Sequence, residues 1–168
     1  MCSGLIESGI DLIKRKRLNA VYKGKDTVKE ASEILNIVSL IENSFRKIIR
    51  KTPKHENEIN DTIENLFIGA GLDGQFTREK EHIIYSSKTH IPDFVFKRIE
   101  TTVEGNFCDT LTRQKEIISE INDDIVAYKT KYSNLIFVVY DLGVIRNVDK
   151  FNGEIEKQGS IIVKVIKH

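Results

Sequence analysis

The sequence predicts an α/β fold with a mixed central sheet flanked by helices, and three patterns carry this prediction. Residues 135–140 form a continuous apolar run, Leu-Ile-Phe-Val-Val-Tyr, of the kind that is buried on both faces of a sheet. Residues 161–166 indicate a last strand. Residues 114–130 carry apolar side chains at helical spacing, so a right-handed crossover through this helix would place a strand at 101–107 parallel to the apolar run.

Two amphipathic helices are predicted ahead of the sheet. Residues 4–22 carry apolar side chains at helical spacing, up to a break at Gly24. A second helix begins near Asp26 and ends at Pro53. Because the two helices cannot bury their apolar stripes on each other alone, they are expected to pack on the rest of the chain or on a second copy. The stripe of the second helix comprises Val28, Ala31, Leu35, Val38, Ile41, Phe45, Ile48 and Ile49.

The rest of the chain is predicted to form one domain around the sheet. Its first element is a helix over residues 56–68, followed by a glycine-rich turn. A strand is expected within residues 75–86, and a hairpin over 91–107 follows it. The predicted division is therefore an N-terminal helical region at 1–52, which serves packing or oligomerisation, and a second domain at 53–168.

Composition narrows the class of protein but does not name a partner. The 168 residues carry a net charge of +1, so total charge does not indicate nucleic-acid binding. Two basic clusters, at 14–17 and 46–51, are either solvated helix faces or phosphate contacts. Cys2 and Cys108 lack metal-binding spacing, which favours a reducing compartment. No apolar run is long enough to span a membrane and no secretion signal is evident, so we expect a cytoplasmic protein without a membrane partner.

Two carboxylates are predicted to face each other in the hairpin. If residues 97–100 form the turn, positions whose numbers sum to 197 are paired, which places Asp93 opposite Glu104. Directly opposed residues have Cβ atoms roughly 4.5–5.5 Å apart, and like charges at that distance are unfavourable without a cation between them. The pair therefore predicts a Mg²⁺ site, completed by waters and substrate phosphates. The alternative is a solvent-facing hairpin edge that happens to carry two carboxylates.

Three further polar residues are candidates near this pair. Side chains alternate along a strand, so Asn106 points to the same side as Glu104. Glu58 lies in the first turn of the helix at 56–68, and it is either a third acid of the site or an acid favoured by the positive end of the helix. His90 precedes Asp93 by three positions, and it is either a substrate contact or, as expected, a histidine in a surface loop.

Pro92-Asp93 followed by Glu104-x-Asn106 resembles the signature of PD-(D/E)XK nucleases, with asparagine in place of the lysine. The sequence after it is similar to the nuclease domain of DpnII/MboI-type restriction endonucleases, in which a helix ending in Asp-Ile-x-x-Tyr precedes a buried strand ending in Tyr-Asp. The matching positions here are 124–128 and 140–141. For Tyr128, Tyr140 and Asp141 themselves, packing and turn formation are expected rather than catalysis.

The resemblance covers residues 55–168 and implies a restriction-endonuclease-like fold with Mg²⁺-dependent hydrolysis of DNA, often in restriction or antiphage defence. An acid on a preceding helix recurs in that group, and Glu58 lies in the matching segment. The resemblance implies that Asp93 and Glu104 bind the metal, for which Mn²⁺ can substitute, and that Glu58 supports the site. Position 106 would hold the residue that orients the attacking water.

Asparagine at position 106 is the main departure from that signature. Asn106 can hydrogen-bond a water but supplies no positive charge to the transition state, and loss of one such contact costs on the order of 10²–10³ in rate. Three interpretations stay open: a natural or deliberate change that leaves DNA binding intact, an active enzyme whose lysine lies elsewhere, and a natural non-cleaving homologue. The candidates for a displaced lysine are Lys88, Lys97 and Lys115.

Two functions from different classes follow from the sequence. The first is a metal-dependent DNA endonuclease, inactive or weakened by Asn106. The second is a non-catalytic DNA-binding or assembly module that retains the nuclease fold. Because cutting both strands of a duplex commonly uses two copies of a site related by a two-fold axis, a homodimer or higher homo-oligomer is expected as well.

Overall fold

The structure, a computed structural model, describes residues 25–168. The helix predicted over 4–22 and the basic cluster at 14–17 lie outside the described residues. The described part of the chain contains four α-helices and seven β-strands, which confirms the predicted α/β class with a helical segment ahead of the sheet. The proposed division of the chain after residue 52 stays a prediction.

The helices and strands follow the predicted order closely. The helices are α1 (Lys25–Ile48), α2 (Glu56–Gly69), α3 (Leu111–Tyr128) and α4 (Val148–Glu156). The strands are β1 (Thr77–Arg78), β2 (Ile83–Tyr85), β3 (Lys88–His90), β4 (Phe94–Phe96), β5 (Thr101–Cys108), β6 (Asn134–Asp141) and β7 (Ile161–Lys167).

The main sheet is mixed and has five strands in the order β1-β4-β5-β6-β7. Strands β5, β6 and β7 are parallel to one another, whereas β1, β4 and β5 pair antiparallel. Helix α3 is the crossover that joins β5 to β6, as the sequence predicted. The carboxyl ends of β5, β6 and β7 therefore lie at the same end of the sheet.

Helices cover both faces of the sheet, so its central strands are apolar on both sides. On one face, α1 and α2 pack with Val103, Ile136 and Val138 in a single core. On the other face, α3 and α4 pack with Phe137 and Val139 in a second core. The continuous apolar run of β6 is buried along its whole length for this reason.

The hairpin register predicted from the sequence is confirmed. Phe94 pairs with Val103 and Phe96 pairs with Thr101, so that paired positions sum to 197. The connection between the strands is a short 3₁₀ helix, Lys97–Ile99, followed by Glu100 in a left-handed conformation with φ of 44°. Asp93, directly before β4, is thereby placed beside Glu104 of β5.

Helix α1 differs in detail from the predicted second helix. It ends at Ile48 rather than at Pro53, and the Arg46 guanidinium donates to the Ile49 carbonyl just beyond its end, at 3.0 Å. The apolar stripe is also rotated, because α1 packs against both α2 and β7. Val28 is exposed, while Ile34 and Ile37 are buried with the rest of the core. Within residues 25–168, no helix is both long and apolar enough to cross a membrane.

Candidate active site

Asp93 and Glu104 are held together by two hydrogen bonds, each from a backbone N–H group to a carboxylate oxygen. The Asp93 backbone N–H donates to Oε2 of Glu104 at 3.1 Å, and the Gly105 backbone N–H donates to Oδ2 of Asp93 at 2.8 Å. Asp93 thereby continues the β4–β5 pairing one residue before the start of β4, with its side chain in place of a backbone carbonyl. Both carboxylates are fixed relative to the backbone of β5.

The environment of the pair disfavours two negative charges. Burial raises the pKa of Asp93 to about 7, and the nearby Glu56 charge adds to this effect. Burial also raises the pKa of Glu104 well above its usual range, with the charges of Asp93 and Asp124 adding to the effect. Desolvation and like charge destabilise the ionised forms, so a bound cation would compensate both.

Asn60 of α2 lies against the strand at Gly105. A Cβ atom on residue 105 would come within 2.1 Å of Asn60 Oδ1, so only glycine permits this approach. Asn60 is 3% exposed, and its side chain hydrogen-bonds Asp93 and lowers the pKa of that carboxyl. Asn60 Oδ1 is a buried oxygen without a hydrogen-bond partner in the described chain. The sequence-based interpretation did not include Asn60 in the site.

The acid that α2 presents to the pair is Glu56 and not the predicted Glu58. The Glu56 charge acts on Asp93, and Asn60, one helical turn later, lies on the same face of α2. Glu58 is exposed, and its carboxylate accepts from the Lys54 backbone N–H at 3.2 Å. Because Glu58 follows Glu56 by two residues, a little over half a helical turn, its side chain lies on the opposite face of α2. The structure therefore does not bring Glu58 to Asp93 and Glu104.

Helix α3 reaches the pair from the other face of the sheet. The buried Tyr128 hydroxyl donates to Oε2 of Glu104 at 3.3 Å, so this tyrosine touches the site as well as packing in the core. One turn earlier, the Asp124 carboxylate accepts a hydrogen bond from His90 Nδ1–H at 2.8 Å. His90 is buried in this contact and is not the surface loop residue that the sequence suggested.

Tyr140 and Asp141 have the packing and turn roles that the sequence predicted. Tyr140 lies in the core against Phe45. The Asp141 carboxylate is fully buried and accepts from the backbone N–H groups of Val144 and Ile145 in the loop after β6. Neither contacts the carboxylate pair, so both stay outside the site described here.

Asn106 lies two positions beyond Glu104 on β5 and is 5% exposed. By strand alternation its side chain is on the same side as that of Glu104. Its Nδ2 atom is buried and has no hydrogen-bond partner among the described residues. A buried amide donor without a partner is costly, and a water or a substrate oxygen at the site would satisfy it.

None of the three lysines considered as replacements contacts the pair in the described part of the chain. Lys97 pairs with Glu81 at 2.6 Å, and Lys88 lies 3.8 Å from Asp123. Lys115 is exposed on α3. The cation connected to the site is instead Arg113, in the first turn of α3, whose Nη2 lies 3.0 Å from the Glu56 carboxylate.

The donor set fits a hard divalent cation with an incomplete protein shell. Glu104 accepts both of its hydrogen bonds on Oε2, so Oε1 is engaged by neither. Two carboxylates with waters and substrate phosphates are a typical Mg²⁺ environment. No cluster of three or more His, Cys, Asp or Glu side chains suited to a metal is present in residues 25–168, so the protein alone does not form a closed metal cage.

The match to a known family falls on the half of the chain that builds this site. Residues 75–168 match a family described as REase_DpnII-MboI, and this segment contains Asp93, Glu104, Asn106 and all of α3. No curated protein and no solved structure matches the chain. The segment with α1 and α2, including Glu56 and Asn60, lies outside the matched residues.

Proposed function

Since the chain belongs to the DpnII/MboI restriction endonuclease family, a family of DNA endonucleases, we propose that it hydrolyses DNA phosphodiesters with Mg²⁺ and that Asn106 slows the reaction. The observation that carries the proposal is the fixed pair of Asp93 and Glu104, whose raised pKa values reflect charge that the protein alone leaves uncompensated. Mn²⁺ is expected to substitute, because it accepts similar oxygen ligands.

Asp93 and Glu104 would hold the cation between β4 and β5. When bound, such a cation would lower the pKa of a water molecule and offset the negative charge of the phosphate. Asn60 and the Gly105 backbone keep Asp93 in place, and Tyr128 keeps Glu104 in place. The chain's own contribution is thus a rigid, partly desolvated pair of ligands, in which little reorganisation is needed when DNA arrives.

Asn106 would hydrogen-bond the attacking water or a phosphate oxygen through its unpartnered Nδ2. It would not supply charge, and this is the reason for expecting slow cleavage. Arg113 would supply part of that charge from a greater distance, because Glu56 already connects it to the site. The guanidinium also bonds Glu120, which reduces the charge it offers to a phosphate.

A second function is favoured by Asn106 alone: a DNA-binding or assembly module that keeps the fold without chemistry. Under this alternative, Asp93→Ala would leave the activity of the protein in cells unchanged. Under the endonuclease proposal, the same substitution would abolish it. An Asp93→Ala protein that folds, binds DNA and retains full cellular function would therefore decide for the module.

The biological setting belongs to the same proposal. A role in restriction or antiphage defence, in the cytoplasm where foreign DNA arrives, is what membership of this family supports. A homodimer or higher homo-oligomer is proposed because a duplex has two strands to cut. Light scattering that reports a monomer both with and without DNA would contradict the oligomer.

The direct test of the proposed function is nicking of supercoiled plasmid by the chain in Mg²⁺, in Mn²⁺ and in EDTA. Slow nicking is expected in both metals and none in EDTA. Asp93→Ala should remove the nicking that the metals support. The endonuclease proposal fails if neither metal supports nicking and if lysine at position 106 does not create it.

Tyr128→Phe is expected to weaken metal binding roughly tenfold, because loss of an outer-shell partner typically costs 10–100-fold and the 3.3 Å bond to Glu104 is long. The measurement is the rise in melting temperature with added Mg²⁺ or Ca²⁺. Tyr132→Phe is the matched control, since Tyr132 is also buried but lies beside Lys131. Equal metal responses in both variants would show that the Tyr128 hydroxyl does not position Glu104.

A further inference from the structure

The hairpin formed by β2 and β3, residues Ile83–His90, is a two-stranded sheet separate from the main one. We propose that this β2–β3 hairpin enters a groove of duplex DNA beside the scissile phosphate and contributes to sequence recognition. The inference rests on the proposed endonuclease function, since it places the scissile phosphate at Asp93 and Glu104. The hairpin would contact the edges of the bases and the walls of the groove.

The hairpin is held firmly at its base. Ile83 is buried in the core that contains α3, and its strand partner His90 is buried against the same helix. The His90 ring is bonded to Asp124 of α3 at 2.8 Å. Because α3 also carries Tyr128, which bonds Glu104, one helix fixes both the hairpin and the site. Such rigidity suits an element that must present side chains in a defined place.

The chain between the tip and the site is short. Ser87 at the tip precedes Asp93 by six residues. A fully extended chain spans at most about 3.5 Å per residue, so the tip lies within about 20 Å of Asp93. Base pairs are stacked at about 3.4 Å, so this reach corresponds to about six base pairs from the scissile phosphate. The hairpin tip can therefore reach base pairs inside a short recognition sequence around the cut.

The outer part of the hairpin exposes large apolar side chains. Ile84 is 79% exposed, the highest value for a large apolar residue in the described chain. Of eight exposed large apolar residues there, three lie on or next to this hairpin: Ile84, Tyr85 and Ile91. Single exposed residues are ordinary, but Ile84 and Tyr85 are successive residues of β2, so the ribbon presents a large apolar side chain on each of its two faces, as suits an element inserted between the two walls of a groove. A two-stranded ribbon fits the major groove, where apolar side chains contact the thymine methyl group.

The charges around the hairpin also suit a polyanion. The Glu81 carboxylate before β2 is neutralised twice, by Lys97 at 2.6 Å and by Lys131 at 3.0 Å. Lys88 of β3 is largely exposed, lies 3.8 Å from Asp123 and also acts on the charge of Asp124. Lys80 has no acidic partner in the part of the chain that the structure describes. Lysines and acids thus both lie around the hairpin, and Lys80, Lys88, Lys97 and Lys131 are the groups that would contact DNA phosphates.

The experiment compares the full chain with Ile84→Ser and Tyr85→Ser by fluorescence anisotropy. The probe is a labelled pool of randomised duplexes, with Ca²⁺ in place of Mg²⁺ so that DNA is bound and not cut. Ile68→Ser is the matched control, because Ile68 is 47% exposed and lies at the end of α2 farthest from Glu56. Sequencing of the bound fraction then gives the preferred bases for each protein.

Ile84→Ser and Tyr85→Ser should each weaken binding roughly ten- to a hundredfold and blur the preferred sequence within about six base pairs of the cut, whereas Ile68→Ser should match the parent chain. Unchanged affinity and sequence preference in both hairpin variants would overturn the inference and leave the endonuclease proposal standing. A parent chain that binds no DNA would overturn both. If light scattering shows that Ile84→Ser converts a dimer into a monomer without DNA, the hairpin is a subunit interface and the inference fails.

Discussion

Asn106→Lys is expected to raise the rate of Mg²⁺-dependent DNA cleavage by on the order of 10²–10³. Position 106 is 5% exposed and lies on the same side of β5 as Glu104, so a lysine there would extend into the site. The ammonium would offset charge on the phosphate and orient the attacking water. Two carboxylates with raised pKa values would stabilise it in return, which lowers the cost of burying it.

The control for this substitution is Asn106→Gln, which lengthens the side chain without adding charge. If charge is what the site lacks, glutamine should leave the nicking rate close to that of the parent chain. Conversion of supercoiled to open-circular plasmid, followed over time at saturating Mg²⁺, measures all three proteins. Equal gains from lysine and glutamine would show that reach, and not charge, limits the reaction.

Asp93→Asn is expected to stabilise the metal-free protein at pH 8 while abolishing its response to metal. The pKa of Asp93 is raised from its ordinary 3.8 to about 7. A group whose pKa is raised on folding contributes stability at low pH, and that contribution is lost as pH rises through the folded pKa. At about 1.4 kcal/mol per pKa unit, removing the charge should gain roughly 2–4 kcal/mol above pH 7.

The pH profile separates this effect from an unspecific one. For the parent chain without metal, stability should fall as pH rises from about 4 to about 7, the interval between the ordinary and the folded pKa of Asp93. In Asp93→Asn the part of the fall that Asp93 causes should be absent, while the part that the buried Glu104 causes should remain. Added Mg²⁺ should stabilise the parent chain more at pH 8 than at pH 5.5, because protons compete with the metal for the carboxylates.

Glu58→Gln is the matched control for Asp93→Asn, because it also removes one carboxylate near the start of α2 but from an exposed side chain that caps Lys54. Its metal response should equal that of the parent chain. Melting curves at several pH values, with and without Mg²⁺, give the result. A metal response that survives Asp93→Asn and is lost in Glu58→Gln would contradict the placement of the site.

The sequence allowed the carboxylate pair to be placed because its position depends on local rules. Strand alternation and a four-residue connection determine which residue lies opposite Asp93, and the observed register agrees. Glu56 also has a local signal in the sequence. Ile59, Asn60 and Ile63 define the buried face of α2. Glu56 precedes Asn60 by one helical turn and therefore lies on that face, whereas Glu58 does not.

Other parts of the site had no local signal. Tyr128 and Asp124 come to Glu104 and His90 only through the packing of α3, which brings together residues far apart in sequence. Strand β2 lies within the strand predicted over 75–86, but β3 and its pairing with β2 were not predicted, because the turn residues are Ser86 and Ser87, both with positive φ, where Asn-Gly is the usual signal. Asn60 depends on a glycine at 105, which by itself indicates no particular neighbour.

The most direct test of the metal site compares plasmid cleavage by Asn106→Lys with cleavage by the double variant Asn106→Lys/Asp93→Asn in Mg²⁺. The single variant is expected to cut DNA, whereas the double variant, although it binds DNA and is at least as stable, is expected not to cut it. Equal cutting by the two proteins would contradict the assignment of Asp93, and so would a complete absence of cutting by both.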